Sequence, residues 1–190
     1  MFYKLFKRVF DTVLSFLLII ILLPLFLFLG ILIVIDSKGP IIFAQERIGR
    51  NKKHFKIYKY RTLKIGAPKD VPTHLFLDID KWTTKVGMTL RRTKLDEIPQ
   101  LFNILKGDMS LIGPRPALWN QFDLIEERDK YGVNSIYPGL TGWAQISSKE
   151  EQPISRKVEL DSYYLNHMNI LFDIKIALLT IFKCYSKKDL

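Results

Sequence analysis

The sequence predicts an α+β protein, mostly helical. An apolar N-terminal helix over residues 1–36 precedes a small domain over 37–190. Three observations lead there. No charge falls between Thr12 and Ile35. After Asp36 the texture changes to short strand-like runs in mixed polar sequence. Further on, apolar residues recur at helical spacing. Composition narrows the class. With 48% hydrophobic residues the chain is not disordered. A mean hydropathy of +0.07 excludes a multi-spanning membrane protein. A net charge of +10 points to anionic partners: nucleic acid, acidic lipid or a phosphorylated substrate. The one cysteine, Cys184, excludes an intrachain disulfide and fits a reducing, cytosolic setting.

The charge-free run of 24 residues would make about 36 Å of helix, enough for a bilayer core of about 30 Å. It is longer than a signal-peptide core and no small-residue cleavage site follows. Lys4, Lys7 and Arg8 precede it, and Lys38, Arg47, Arg50, Lys52 and Lys53 follow. Positive charge favours the cytoplasmic side for both flanks, which a helix re-entering by the same face satisfies. Pro24, mid-run, removes a helical hydrogen bond and predicts a kink. The run alone leaves re-entry and a plain single span both open.

Gly39-Pro40 reads as a turn. Residues 41–43 and 54–60 read as short strands, and 65–84 as a loop. Thr93 to Lys106 predicts a helix with Ile98, Leu101, Phe102 and Leu105 on one face and Gly107 as its cap. Further helices are expected over 116–131, 155–166 and 170–185, the last in the core or at a membrane surface.

Four clusters could carry chemistry. Arg91, Arg92 and Lys94 surround the adjacent carboxylates Asp96 and Glu97 at the expected helix start. Free N–H groups and arginines there would hold a phosphate, and a carboxylate could attack phosphorus. Carboxylates beside a phosphate call for a cation between them, usually Mg²⁺. Acidic residues in a first turn also simply complement the helix dipole. Arg115, stiffened by Pro114 and Pro116, presents a fixed fork suited to phosphate, or an exposed loop arginine. Lys59 and Arg61 fall on one face of the second strand, for binding or as a solvated edge. Tyr137 to Gln145, with two glycines beside Trp143, reads as a flat pocket for a base or as a packed turn. His54, His74 and His167 lack metal-ligand spacing. Basic residues interleaved with carboxylates beside an apolar helix argue against a nucleic-acid module.

Together these motifs resemble the small monotopic phosphoglycosyl transferases, the bacterial sugar transferases. The resemblance covers nearly the whole chain. It runs through Lys7-Arg8-Val9-Phe10-Asp11, residues 39–49, Tyr58-Lys59-Tyr60-Arg61-Thr62, residues 95–116, residues 138–145, Asp161-Ser162-Tyr163-Tyr164 and Asp173-Ile174-Lys175. Leu23-Pro24 replaces the family's Ser-Pro at the kink, and residues 146–149 depart from its usual pattern.

The resemblance implies transfer of a sugar-1-phosphate from a UDP-sugar to polyprenyl phosphate, with release of UMP. It implies Asp96 as nucleophile, Glu97 as Mg²⁺ ligand, and Arg91 and Arg115 on phosphate; Lys59 and Arg61, from their shared strand face, are expected as further phosphate contacts. It also implies a re-entrant N-terminal helix kinked at Pro24, membrane lipid as a partner, and a catalytic domain on the cytoplasmic face of the bacterial inner membrane. Neither nucleic acid nor an obligate protein partner is expected. The rival reading is a membrane-tethered basic adaptor for acidic lipid or nucleic acid, without chemistry.

Overall fold

The computed structural model describes residues 2–68, 79–147 and 152–186. The apolar run is two helices, α1 (Phe2–Ile21) and α2 (Leu23–Asp36), bent by 63°. Pro24 lies in the first turn of α2, where its missing N–H is tolerated. In a continuous helix it would leave the Ile20 carbonyl without a partner, so the chain breaks at Leu22. No single helix among the described residues is long and apolar enough to cross a membrane, though the bent pair is by length and composition.

Strands β1 (Ile42–Ile48) and β2 (His54–Tyr60) form an antiparallel hairpin, with Gln45 opposite Ile57. Short helices α3 (Ile79–Trp82) and α4 (Lys85–Thr93) follow. The Thr84 hydroxyl caps α4 by accepting from the Gly87 N–H at 3.0 Å. Then come α5 (Gln100–Lys106), β3 (Ser110–Ile112), α6 (Phe122–Lys130), β4 (Gly139–Thr141), α7 (Trp143–Ser147), α8 (Ile154–His167) and α9 (Ile170–Ser186). β3 and β4 pair in parallel. A Cβ at Gly139 would overlap the Gly113 backbone, so glycine is what allows these segments to meet. The protein is α+β and mostly helical, as expected.

The predicted helix over 93–106 is broken. Lys94 turns left-handed at φ 62°, residues 95–97 form one 3₁₀ turn, and α5 starts only after Pro99. Proline lacks the N–H a continuing helix would need. Gly107 does cap α5, at φ 97°. The core face of α5 is Leu101 and Ile104, while Phe102 and Leu105 are exposed. The helix expected over 116–131 is only α6. Its first third is drawn out beside the hairpin, where the Ile48 N–H donates to the Ala117 carbonyl at 2.9 Å. His74, Ser148 and Lys149 lie outside the described residues.

Both arms of the helix pair pack on the domain. Leu18, Ile19 and Leu22 join Ile57, Leu101, Ile104 and Met109, and Leu29 and Ile33 join Tyr60 and Leu90. Polar contacts pin the ends. Arg8 donates to the Ile104 and Met109 carbonyls, and the Ser110 hydroxyl donates to Asp11. Tyr3, Lys7 and Tyr164 all donate to the Asp173 carboxylate. The motifs around Lys7, Tyr164 and Asp173 thus tie α1, α8 and α9 together.

Candidate active site

The dyad sits on the 3₁₀ turn between α4 and α5, not in the first turn of an α-helix. Asp96 is buried at 7% exposure, and its Oδ1 has no hydrogen-bond partner. Burial pushes its carboxyl above the usual range, against the pull of Lys59, Lys94 and Arg91. Glu97 is the opposite case. Lys59 Nζ donates to its Oε1 at 2.6 Å and Arg115 Nη2 to the same oxygen at 3.2 Å. Burial works against its charge, but Arg115 and Lys59 outweigh that and hold it well below the usual carboxylate range. One carboxylate is therefore locked by cations and its neighbour is left bare.

Lys59 reaches Glu97 because β2 alternates. Ile57 and Lys59 face a small cavity that Arg47, Gln100, Arg115 and Pro116 also line. Tyr58 faces the other way, into an apolar groove of about 510 Å³ with Phe26, Pro99, Phe102 and Leu105. Pro99, which lines the groove, is two residues past Glu97. Arg91, at the end of α4, feels the charges of Asp96 and Asp80.

Arg61 is not brought to the dyad. β2 ends at Tyr60, and the Arg61 guanidinium donates to the Pro40 carbonyl at 2.6 Å and to the Ser37 hydroxyl and carbonyl at 2.7 and 2.6 Å. It clamps the chain leaving α2. Trp143 packs against Phe172 and Tyr163, with ring centroids 5.1 and 6.1 Å apart, so this segment is a packed layer. Arg47, which in the sequence stands out only as flanking charge, also lines the cavity that Lys59 faces. Its place in Gln45-Glu46-Arg47-Ile48-Gly49, one of the matching motifs, was the signal.

Among the described residues no three His, Cys, Asp or Glu side chains gather as a metal cage. Mg²⁺ does not need one, since one or two carboxylates plus substrate phosphates suffice. The dyad fits that chemistry: Glu97 is held ionised, and both its cations bind one oxygen, leaving Oε2 for a metal.

The fold and site together make a helix-pair-bearing α+β domain with a carboxylate dyad set among fixed cations. Residues 2–187 match the Bacterial sugar transferase family, and the chain belongs to it. It is 36% identical over 192 residues to the UDP-glucose:undecaprenyl-phosphate glucose-1-phosphate transferase of Escherichia coli (strain K12), covering 97% of this chain and 41% of that one. It is 37% identical to the undecaprenyl-phosphate glucose phosphotransferase of Komagataeibacter xylinus, over 92% of this chain and 35% of that one. The uncharacterized sugar transferase EpsL of Bacillus subtilis (strain 168) is 36% identical, over 93% of this chain and 86% of its own length. The chain thus spans well under half of the first two relatives and most of the third.

Proposed function

We propose that this protein is a phosphoglycosyl transferase that moves a sugar-1-phosphate from a UDP-sugar to polyprenyl phosphate. The observation that carries this reading is the bare, buried Oδ1 of Asp96 beside a Glu97 fixed by Lys59 and Arg115. An oxygen with no hydrogen-bond partner has a free lone pair for attack on phosphorus. Asp96 attacks the β-phosphorus, a P–O bond forms, and the bond to UMP breaks with its electron pair leaving on UMP. Polyprenyl phosphate then attacks the aspartyl phospho-sugar and the Asp96 carboxylate is restored. Arg115 and Arg91 orient the phosphates and stabilise the charge that develops on them. Mg²⁺ held by Glu97 would supply neutralisation of the diphosphate charge. The apolar groove beside Pro99 offers a place for the start of an isoprenoid chain.

The bent helix pair is read as re-entrant, with the domain at the cytoplasmic face of the membrane. Both of its ends are pinned to the same domain, at Arg8 and Asp11 and again at Ser37. An adaptor that binds acidic lipid without chemistry leaves the arrangement of the dyad unexplained. The test is a panel of UDP-sugars with undecaprenyl phosphate and Mg²⁺, scored for UMP release. At least one sugar should release UMP at a rate that depends on protein. No release across the panel overturns the reading.

A further inference from the structure

The cavity on the lysine face of β2 holds more positive charge than the dyad explains. Arg47 reaches it from β1, Lys59 from β2 and Arg115 from the loop after β3. Lys59 and Arg115 share Glu97, which has its two cations already. Arg47 has no carboxylate of its own. Its Nη1 donates to the Pro116 carbonyl at 3.1 Å and its Nη2 to Gln45 Oε1 at 2.6 Å, both neutral acceptors. Its Nε is buried and has no partner. Burial and the nearby Arg115 charge lower its pKa to about 10, and Glu97 offsets only part of that. A guanidinium that merely braced the Pro116 carbonyl would need neither the burial nor the idle Nε–H. Buried charge without a counter-ion is costly, and so is a buried donor left unmade. An anion with several acceptor oxygens would relieve both costs at once.

We propose that Arg47, with Lys59 and Arg115, forms a subsite for a phosphate monoester dianion, distinct from the carboxylate that attacks. The proposal rests on the transferase reading for the identity of that monoester. Two reactants of that reading share the chemistry: the departing nucleoside monophosphate and the acceptor prenyl phosphate. In the first half-reaction the P–O bond breaks towards UMP, which takes the electron pair and gains a negative charge. Arg47 balances that charge. In the second half-reaction the acceptor phosphate occupies the vacated place and attacks the phosphorus on Asp96. One subsite serves both because UMP has left before the acceptor arrives.

The full chain in detergent micelles is titrated by calorimetry with UMP, inorganic phosphate and uridine, as the unmodified protein and as Arg47→Gln. Arg47→Gln should weaken UMP and inorganic phosphate at least tenfold and leave uridine within twofold. Steady-state arms separate the two sources: UMP product inhibition reports the leaving group, and the KM for undecaprenyl phosphate reports the acceptor. A rise in the UMP inhibition constant or in that KM upholds the subsite, and Arg47→Lys should recover part of the lost affinity. Should Arg47→Gln fail to fold, Arg47→Lys serves alone, with UMP weakened severalfold and uridine unchanged. UMP affinity, UMP inhibition and acceptor KM all within twofold in a folded variant overturn the subsite while leaving the transferase reading intact. Absence of turnover with every sugar overturns the transferase reading, and calorimetry still decides the subsite.

Discussion

Asp96 and Glu97 are neighbours in sequence and opposites in electrostatics. Burial without a hydrogen bond raises Asp96, and two cations depress Glu97. Asp96→Asn should abolish UMP release even without acceptor, because no acyl-phosphate can form. A dipole partner is worth about 0.3–1 kcal/mol, a severalfold effect at most. A lost nucleophile costs orders of magnitude, so one UMP assay separates the roles. The acid limb of kcat/KM should lie above the ordinary aspartate value of about 3.9, since Asp96 must be ionised to attack. Glu97 acts on stability with the opposite sign. Its folded pKa is depressed, so its contribution is fully present above the unfolded value of about 4.3 and fades as pH falls towards the folded one. Melting temperatures of the unmodified protein and Glu97→Gln, measured from pH 7 down to pH 2, should therefore converge only below about pH 4. The pair itself was legible in the sequence as adjacent carboxylates between cations. Its asymmetry was not, because it depends on Lys59, which lies 38 residues away and arrives through the β2 pleat. The partners of Arg47 and Arg61 were not legible for the same reason: a basic residue's partner is set by tertiary contacts.

At the scale of elements, hydrophobic period and turn residues predicted β2, α8 and α9 well, but only the start of β1 and not its pairing with β2. They failed where single backbone events intervene. Left-handed Lys94 and Pro99 cut one expected helix into a turn and a short helix, and that cut is what lifts the dyad clear of α5. The loop carrying Arg115 is fixed by a contact with no sequence signature. Arg128 on α6 donates through Nε and Nη2 to Asp161 on α8, at 3.0 and 2.6 Å, and through Nη1 to the Arg115 carbonyl at 2.9 Å. The pair is buried, with side chains 8% and 2% exposed. Arg128→Ala leaves Asp161 buried and uncompensated and should cost roughly 3–5 kcal/mol by denaturant unfolding. The double variant Arg128→Met with Asp161→Leu should regain most of that stability. It should still transfer slowly, because the Arg115 carbonyl has lost its donor. Full activity in the double variant would show that the contact only supports the fold.

At the scale of the whole molecule the question is what holds the bend. A proline in a helix interior costs about 3 kcal/mol, so Pro24→Ala removes a comparable penalty on a straight helix. Straightening would pull α2 off the domain. Leu29 and Ile33, 5% and 2% exposed, would leave the cluster around Tyr60 and Leu90. Each buried side chain of that size is worth about 1.5–3 kcal/mol, so the two together match or exceed the proline term. The Arg61 clamp on Ser37 and Pro40 adds three more bonds, and the Val86 N–H holds Asp36 at 2.9 Å. Packing therefore wins, and Pro24→Ala alone should keep both ends on the same side. Pro24→Ala with Arg61→Ala should lose that control in a sizeable fraction of molecules. A cysteine introduced at residue 2, in a Cys184→Ser background, reads this out in intact spheroplasts with a membrane-impermeant thiol reagent. Residue 2 should stay unlabelled in the parent and in Pro24→Ala, and become partly labelled in the double variant. Each should label fully once the membrane is opened. Labelling of residue 2 from outside in the parent would mean that the apolar pair crosses the bilayer and that its contacts with the domain do not hold in the membrane.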